Sequence, residues 1–210
     1  MDLQSAVDNF TTAVAHCHNI IAVHRRVGAG QRGRRWEEVS LDRAVVVMAV
    51  AAWQAAVQDM TAAIIDTAAP ATGAANYHAL LGHVRKAILD FGTPNSQNTR
   101  RLMQSAGFDP RPYWTWTIAG GRGRQRVTWA PTAVDARLDE WLRIRHAIAH
   151  GHDELPACDA LEAVRLDGVT SDPSLRLVDA EQCVAFVSRL VRLTATGAAA
   201  HLGVTVRVVQ

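Results

Sequence analysis

Ala44-Val45-Val46-Val47-Met48-Ala49-Val50-Ala51-Ala52-Trp53, continued by Val57, Met60 and Ile64, is the stretch that decides the fold class. Val46, Val50, Trp53, Val57, Met60 and Ile64 follow one another in alternating steps of four and three. That is the seam a bundle helix turns toward its neighbours. Val45, Val47, Met48 and Ala52 extend the apolar surface nearly all round, so this helix is expected at the centre. Ser40 is placed to cap its start, and the pattern runs to about Thr67. The run from Ala44 to Trp53 stops at Gln54, short of the ~18 residues a membrane span needs.

Working outward, Asp2 to Arg26 reads as a first helix with Leu3, Val7, Phe10, Val14 and Ile21 facing inward. Gly28 to Trp36 is a basic loop that carries Arg32, Arg34 and Arg35. A third helix is expected over Ala75 to Phe91, and a short fourth one opens at Thr93-Pro94 and closes at Gly107. Asp109-Pro110-Arg111-Pro112 breaks the helical pattern, after which Tyr113, Trp114 and Trp116 are expected to pack on the bundle. Gly120 to Arg126 is a second basic loop, with Arg122, Arg124 and Arg126. Glu162 to Leu166 and Leu175 to Val178 read as a small hairpin, Ala180 to Ala200 as a last helix, and Val204 to Val209 as a terminal strand. The expected architecture is all-α: an antiparallel helical bundle with a small β-hairpin, one domain spanning 1–210.

Composition narrows the classes. The chain has 210 residues, a net charge of +2 and about half its residues apolar, which suits a folded domain with a substantial core. Such a charge selects no nucleic-acid partner by itself. Lys86 is the lone lysine among 22 basic residues. Arginine is the better fork for phosphate, but a coding-sequence bias that also enriches alanine gives the same result. Cys17, Cys158 and Cys183 are odd in number and form no CxxC pair, arguing for a reducing compartment and against a disulfide framework or zinc ribbon. Met1-Asp2-Leu3-Gln4 lacks the basic and apolar regions of a signal peptide, so a soluble, cytoplasmic protein without a membrane partner is expected.

The chemistry concentrates in Arg145-His146-Ala147-Ile148-Ala149-His150-Gly151-His152. From Pro131, the recurrence of Leu138, Trp141, Ile148 and Ala149, widened by Leu142, predicts a helix, with Thr132 and Asp135 as a capping box and Gly151 as its stop. Arg145 then falls in the apolar stripe, where an unpaired charge is costly. The bland explanation of Arg145 is a side chain that snorkels to solvent or pairs with a carboxylate such as Asp135 or Asp139; that of His150 is a C-terminal cap. Its sharper explanation is a phosphate clamp beside an imidazole that moves protons near neutral pH. His16, Cys17, His18 and His24 are ligand types, yet on a helix His16 and His18 point about 200° apart and share no ion. No metal and no cofactor is expected, and no Walker loop, nucleophile elbow or dinucleotide fingerprint is present.

Arg145, a polar His146, apolar filler and then His150-Gly151 resembles the R-x4-6-H signature of the HEPN superfamily. Ala51-Ala52-Trp53-Gln54-Ala55, Phe91-Gly92-Thr93-Pro94-Asn95, Leu102, Gly107-Phe108-Asp109 and Tyr113-Trp114 follow in an order similar to its RiboL-PSP-HEPN branch, over roughly Leu41 to Gly151. The resemblance implies a helical, metal-independent endoribonuclease of toxin–antitoxin or phage-defence type. It implies Arg145 and His150 as catalytic residues with His146 orienting them, RNA as substrate, and a homodimer that pairs two motif helices in one cleft. An antitoxin or defence-system partner is part of the same expectation. The arginines Arg32, Arg34, Arg35, Arg122, Arg124 and Arg126 would guide the RNA backbone. Some relatives of that kind only bind RNA or nucleotides, or only dimerise, which is the alternative class. Toxins controlled by nucleotidyltransferases carry a tyrosine two residues after the histidine; here that position is His152, which puts such control in doubt.

Overall fold

The computed structural model describes residues 1–27, 36–68, 75–118 and 126–208. Within them lie α1 (Leu3–Val27), α2 (Trp36–Thr67), α3 (Ala75–Leu89), α4 (Ser96–Ser105), a 3-10 turn (Arg111–Tyr113), β1 (Trp116–Ile118), β2 (Val127–Trp129), α5 (Pro131–Ala149), the single turn α6 (Glu162–Arg165) and α7 (Leu177–Leu202). The fold is mostly helical with one two-stranded antiparallel sheet among the described residues.

The apolar seam of α2 explains the arrangement. Val46, Val50, Trp53, Val57, Met60 and Ile64 are all buried, and α2 packs on α1, α7, α5, α3 and α4. Polar pairs along its length fix directions. The Met1 ammonium meets Asp66 at 3.0 Å, Asn9 donates to Asp59 at 3.0 Å, and His24 lies 3.5 Å from Asp42, so α1 and α2 run antiparallel. Arg25 pairs with Glu181 while Gln4 clasps the backbone of Arg207, which makes α7 antiparallel to α1 as well. Trp114 is fully buried and donates its indole N–H to Thr194 Oγ1 at 2.9 Å, pinning the chain after the prolines to α7. Gly197 is the close-approach point: a Cβ there would sit 2.5 Å from the Tyr113 ring.

Several sequence expectations need correction. The hairpin is formed by β1 and β2, with Trp116 opposite Trp129 and Ile118 opposite Val127, on either side of the second basic loop. Residues 162–165 and 177–178 are helical instead, because the buried Asp179 carboxylate accepts from Glu162 N at 2.8 Å and Arg176 N at 2.9 Å and so caps α6 and α7 together. Residues 204–208 form no strand; Gln4 holds them by its side chain. α2 begins at Trp36, one turn before Ser40. Asn95 rather than Thr93 caps α4, its side chain accepting from Asn98 N at 2.7 Å. In α5, Pro131 occupies the first turn and Ala130 the cap, while Asp135 turns to Arg111 at 2.9 Å, so the Thr132–Asp135 box does not form.

Both α2, over Glu38–Thr67, and α7 are long and apolar enough to cross a membrane by length and composition. This amends the expectation drawn from the uninterrupted run alone. Their buried side chains, among them Val46, Trp53 and Met60 of α2 and Val187, Leu190 and Val191 of α7, belong to the bundle core.

Candidate functional site

The motif helix buries Val134, Leu138, Trp141, Ile144 and Ala147. The stripe thus runs through Ile144 and Ala147, while Ile148 is half-buried and Ala149 exposed. Arg145 lies at the stripe's edge, half-buried, with Nε sealed from solvent and without a hydrogen-bond partner. Neither acid expected to neutralise it does so. Asp135 binds Arg111, and Asp139 accepts from the Ser96 backbone N–H at 2.9 Å and hydroxyl at 3.1 Å. Among the described residues no carboxylate lies within 4.0 Å of the Arg145 guanidinium.

Arg145 opens into a cleft of about 850 Å³. Its walls include Arg143, His146, His152, Asp139 and the Gly92–Asn95 loop. That loop is held from below: Trp53 donates its indole N–H to Pro94 O at 3.1 Å, and Gln54 donates to Phe91 O at 2.8 Å. Two of the sequence segments singled out, Ala51–Ala55 and Phe91–Asn95, therefore meet directly, and the second reaches the motif.

The end of α5 explains the histidine geometry. Gly151 adopts φ +67°, and the amides of Gly151 and His152 return to Ile148 O and Ala147 O at 3.1 and 2.9 Å. This double closure needs a left-handed residue, which glycine supplies at least cost. The reversal carries His152 back beside the helix. His146, His150 and His152 form an exposed row, with ring centroids 4.2 Å apart for the first pair and 6.1 Å for the second.

Of the three expected catalytic residues, Arg145 and His146 line the cleft; His150 does not, and stands beside it against the His146 ring. His152, Arg143 and Asp139 are additions. The spacing His150-x-His152 was the available signal for His152, and Asp139 lies on the same helix as Arg145, less than two turns earlier. Of the expected RNA-guiding arginines, Arg126 is exposed just ahead of β2 and does not line the cleft. Arg32, Arg34, Arg35, Arg122 and Arg124 lie outside the described residues. Among the described residues no group of three ligand-type side chains converges as a metal site would require.

The arrangement offers a half-buried cation and the imidazoles of His146 and His152 on the wall of an open, largely apolar cleft that also carries the carboxylates of Asp139 and Glu154. That set can bind an oxyanion and shuttle protons. No family model matches the chain, and comparison with curated proteins and with solved structures found no match.

Proposed function

We propose that the chain is a metal-independent endoribonuclease of HEPN type, most like the RiboL-PSP-HEPN branch, acting in the cytoplasm as a toxin or defence RNase. One observation carries this: a half-buried arginine faces an open cleft whose wall also holds His146 and His152, and among the described residues no carboxylate stands within salt-bridge distance of it. A structural ion pair was the plainest alternative, and among the described residues none forms at Arg145.

RNA supplies its own nucleophile. An imidazole takes the proton of the 2′-hydroxyl as its oxygen attacks phosphorus; Arg145 holds the non-bridging oxygens as charge builds; a second imidazole protonates the departing 5′-oxygen. The products are a 2′,3′-cyclic phosphate and a 5′-hydroxyl. His150 is the proton-transfer group and His146 its neighbour on the cleft wall. A second copy facing this one across α5 supplies the opposing Arg145 and His150, which gives the laterally placed His150 a reacting phosphate to serve.

The test is cleavage of single-stranded RNA in EDTA. Wild type is expected to cut, and Arg145→Ala, His146→Ala and His150→Ala to lose about 10²-fold or more. Equal, negligible cleavage by all four proteins would instead favour a non-catalytic RNA-binding or dimerisation module.

A further inference from the structure

A second hollow lies on the other side of α5 and shares no residue with the motif cleft. It has a volume of about 510 Å³, between the β1–β2 hairpin and α7. We propose that it binds a small free aromatic anion, a ring bearing a phosphate as in a mononucleotide. The proposal stands apart from the nuclease reading.

The walls are flat and aromatic. Trp116 and Trp129 stack across the hairpin at 5.7 Å, and Phe186 of α7 stands 5.6 and 6.4 Å from them. Such faces take a planar ring. Arg137, Arg165 and Arg189 also line it, and among the described residues its lining contains no carboxylate. Arg137 is paired with Glu140 at 3.1 Å and lies over the Trp129 ring, and Arg165 donates to Asp159 O at 3.0 Å and Gln182 at 3.3 Å. Arg189 lies 5.7 Å over the Trp116 ring and has no acid partner among the described residues. The hollow thus presents a surplus cation beside stacked rings, which is complementary to a phosphate joined to a base.

A third observation comes from the floor. Trp141 is 1% exposed and lines the hollow, yet its indole N–H has no hydrogen-bond partner. Trp53 and Trp114, also fully buried, both have their N–H satisfied. Buried donors are ordinarily paired. The indole nitrogen is sealed from solvent, so an acceptor on the ligand, a base edge or a phosphate oxygen, would supply the missing partner only as the side chains around Trp141 give way. The hollow is of a size typical for small-molecule sites.

Calorimetric titration tests this in Arg145→Ala protein, whose motif cleft has lost its phosphate clamp. The titrants are AMP, GMP, CMP and UMP, the matching nucleosides, and inorganic phosphate. At least one nucleotide is expected to bind roughly tenfold or more tighter than its nucleoside and than phosphate, with quenching of tryptophan fluorescence. Adding Arg189→Ala should weaken that binding roughly tenfold. The exposed Arg165→Ala, in the same background, is a second variant should Arg189→Ala fail to fold. Absence of binding at millimolar concentration, equal affinity for nucleotide and nucleoside, or unchanged affinity in a folded arginine variant would overturn the proposal. Displacement of the nucleotide by short single-stranded RNA would assign the hollow to an RNA base and overturn the free-ligand assignment.

Discussion

Arg145 and Thr194 show how a single side chain divides function from stability. Trp114 is sealed in the core with its N–H on the Thr194 hydroxyl. Thr194→Val keeps the volume but strands that donor, so stability should fall by about 1–3 kcal/mol, measurable by urea denaturation. Arg145 has no hydrogen-bond partner for its buried Nε, and no carboxylate pairs with it among the described residues. Its replacement by alanine is expected to leave the midpoint close to wild type while activity falls, and Arg145→Lys is not expected to restore activity because an ammonium lacks the bidentate fork. At this scale the sequence was legible for the identity of the motif residues and not for their partners. Asp135 and Asp139 precede Arg145 on α5 at spacings other than the three or four residues that let helix side chains meet, and what they bind instead, Arg111 and Ser96, lies on other elements and is visible only in the packed fold.

At the scale of elements, the α5 terminus is where local chemistry sets the site. A Cβ on Gly151 meets nothing within 4 Å, so the cost of Gly151→Ala is that of a left-handed backbone alone, about 1 kcal/mol. The same change should disturb the turn that brings back His152, and RNA affinity should fall with stability; unaltered RNA affinity would show that His152 has no part in the cleft. The helix seams were legible because a period near 3.6 is written in α1 and α2 residue by residue, from Leu3 to Ile21 and from Val46 to Ile64. The hairpin was misplaced for a physical reason. Trp116-Thr117-Ile118 and Val127-Thr128-Trp129 carry β-branched and aromatic residues on both sides of a glycine-rich stretch of sequence, which is a strand signal. The apolar stretches near Leu175 drew that assignment instead, and one distant carboxylate, Asp179, made them helix starts. A cap shared by two helices cannot be read from spacing along one of them.

Across the whole molecule, the buried polar contact between α1 and α2 makes stability depend on pH. Burial, reinforced by Glu38, Asp179 and Glu181 and opposed by His24, raises Asp42 from 3.8 to about 6. Between those values the folded chain holds a proton that the unfolded chain has released. The contribution is therefore fully present below about 3.8 and is lost as pH rises through about 6. Thermal midpoints of wild type should fall relative to Asp42→Asn between pH 5 and 7.5; parallel curves would contradict this. Assembly is the other molecular-scale prediction. Sedimentation should find a two-chain particle, and a strictly monomeric chain with full activity would remove the shared cleft. The central claim is that Arg145 and the histidine row act on a phosphate. Its most direct measurement is the end chemistry and rate of RNA cleavage by wild type and Arg145→Ala in EDTA. The account predicts cyclic phosphate and 5′-hydroxyl ends from wild type and at least about a hundredfold slower release from the folded variant; the same rate from both, or no cleavage by either, would contradict it.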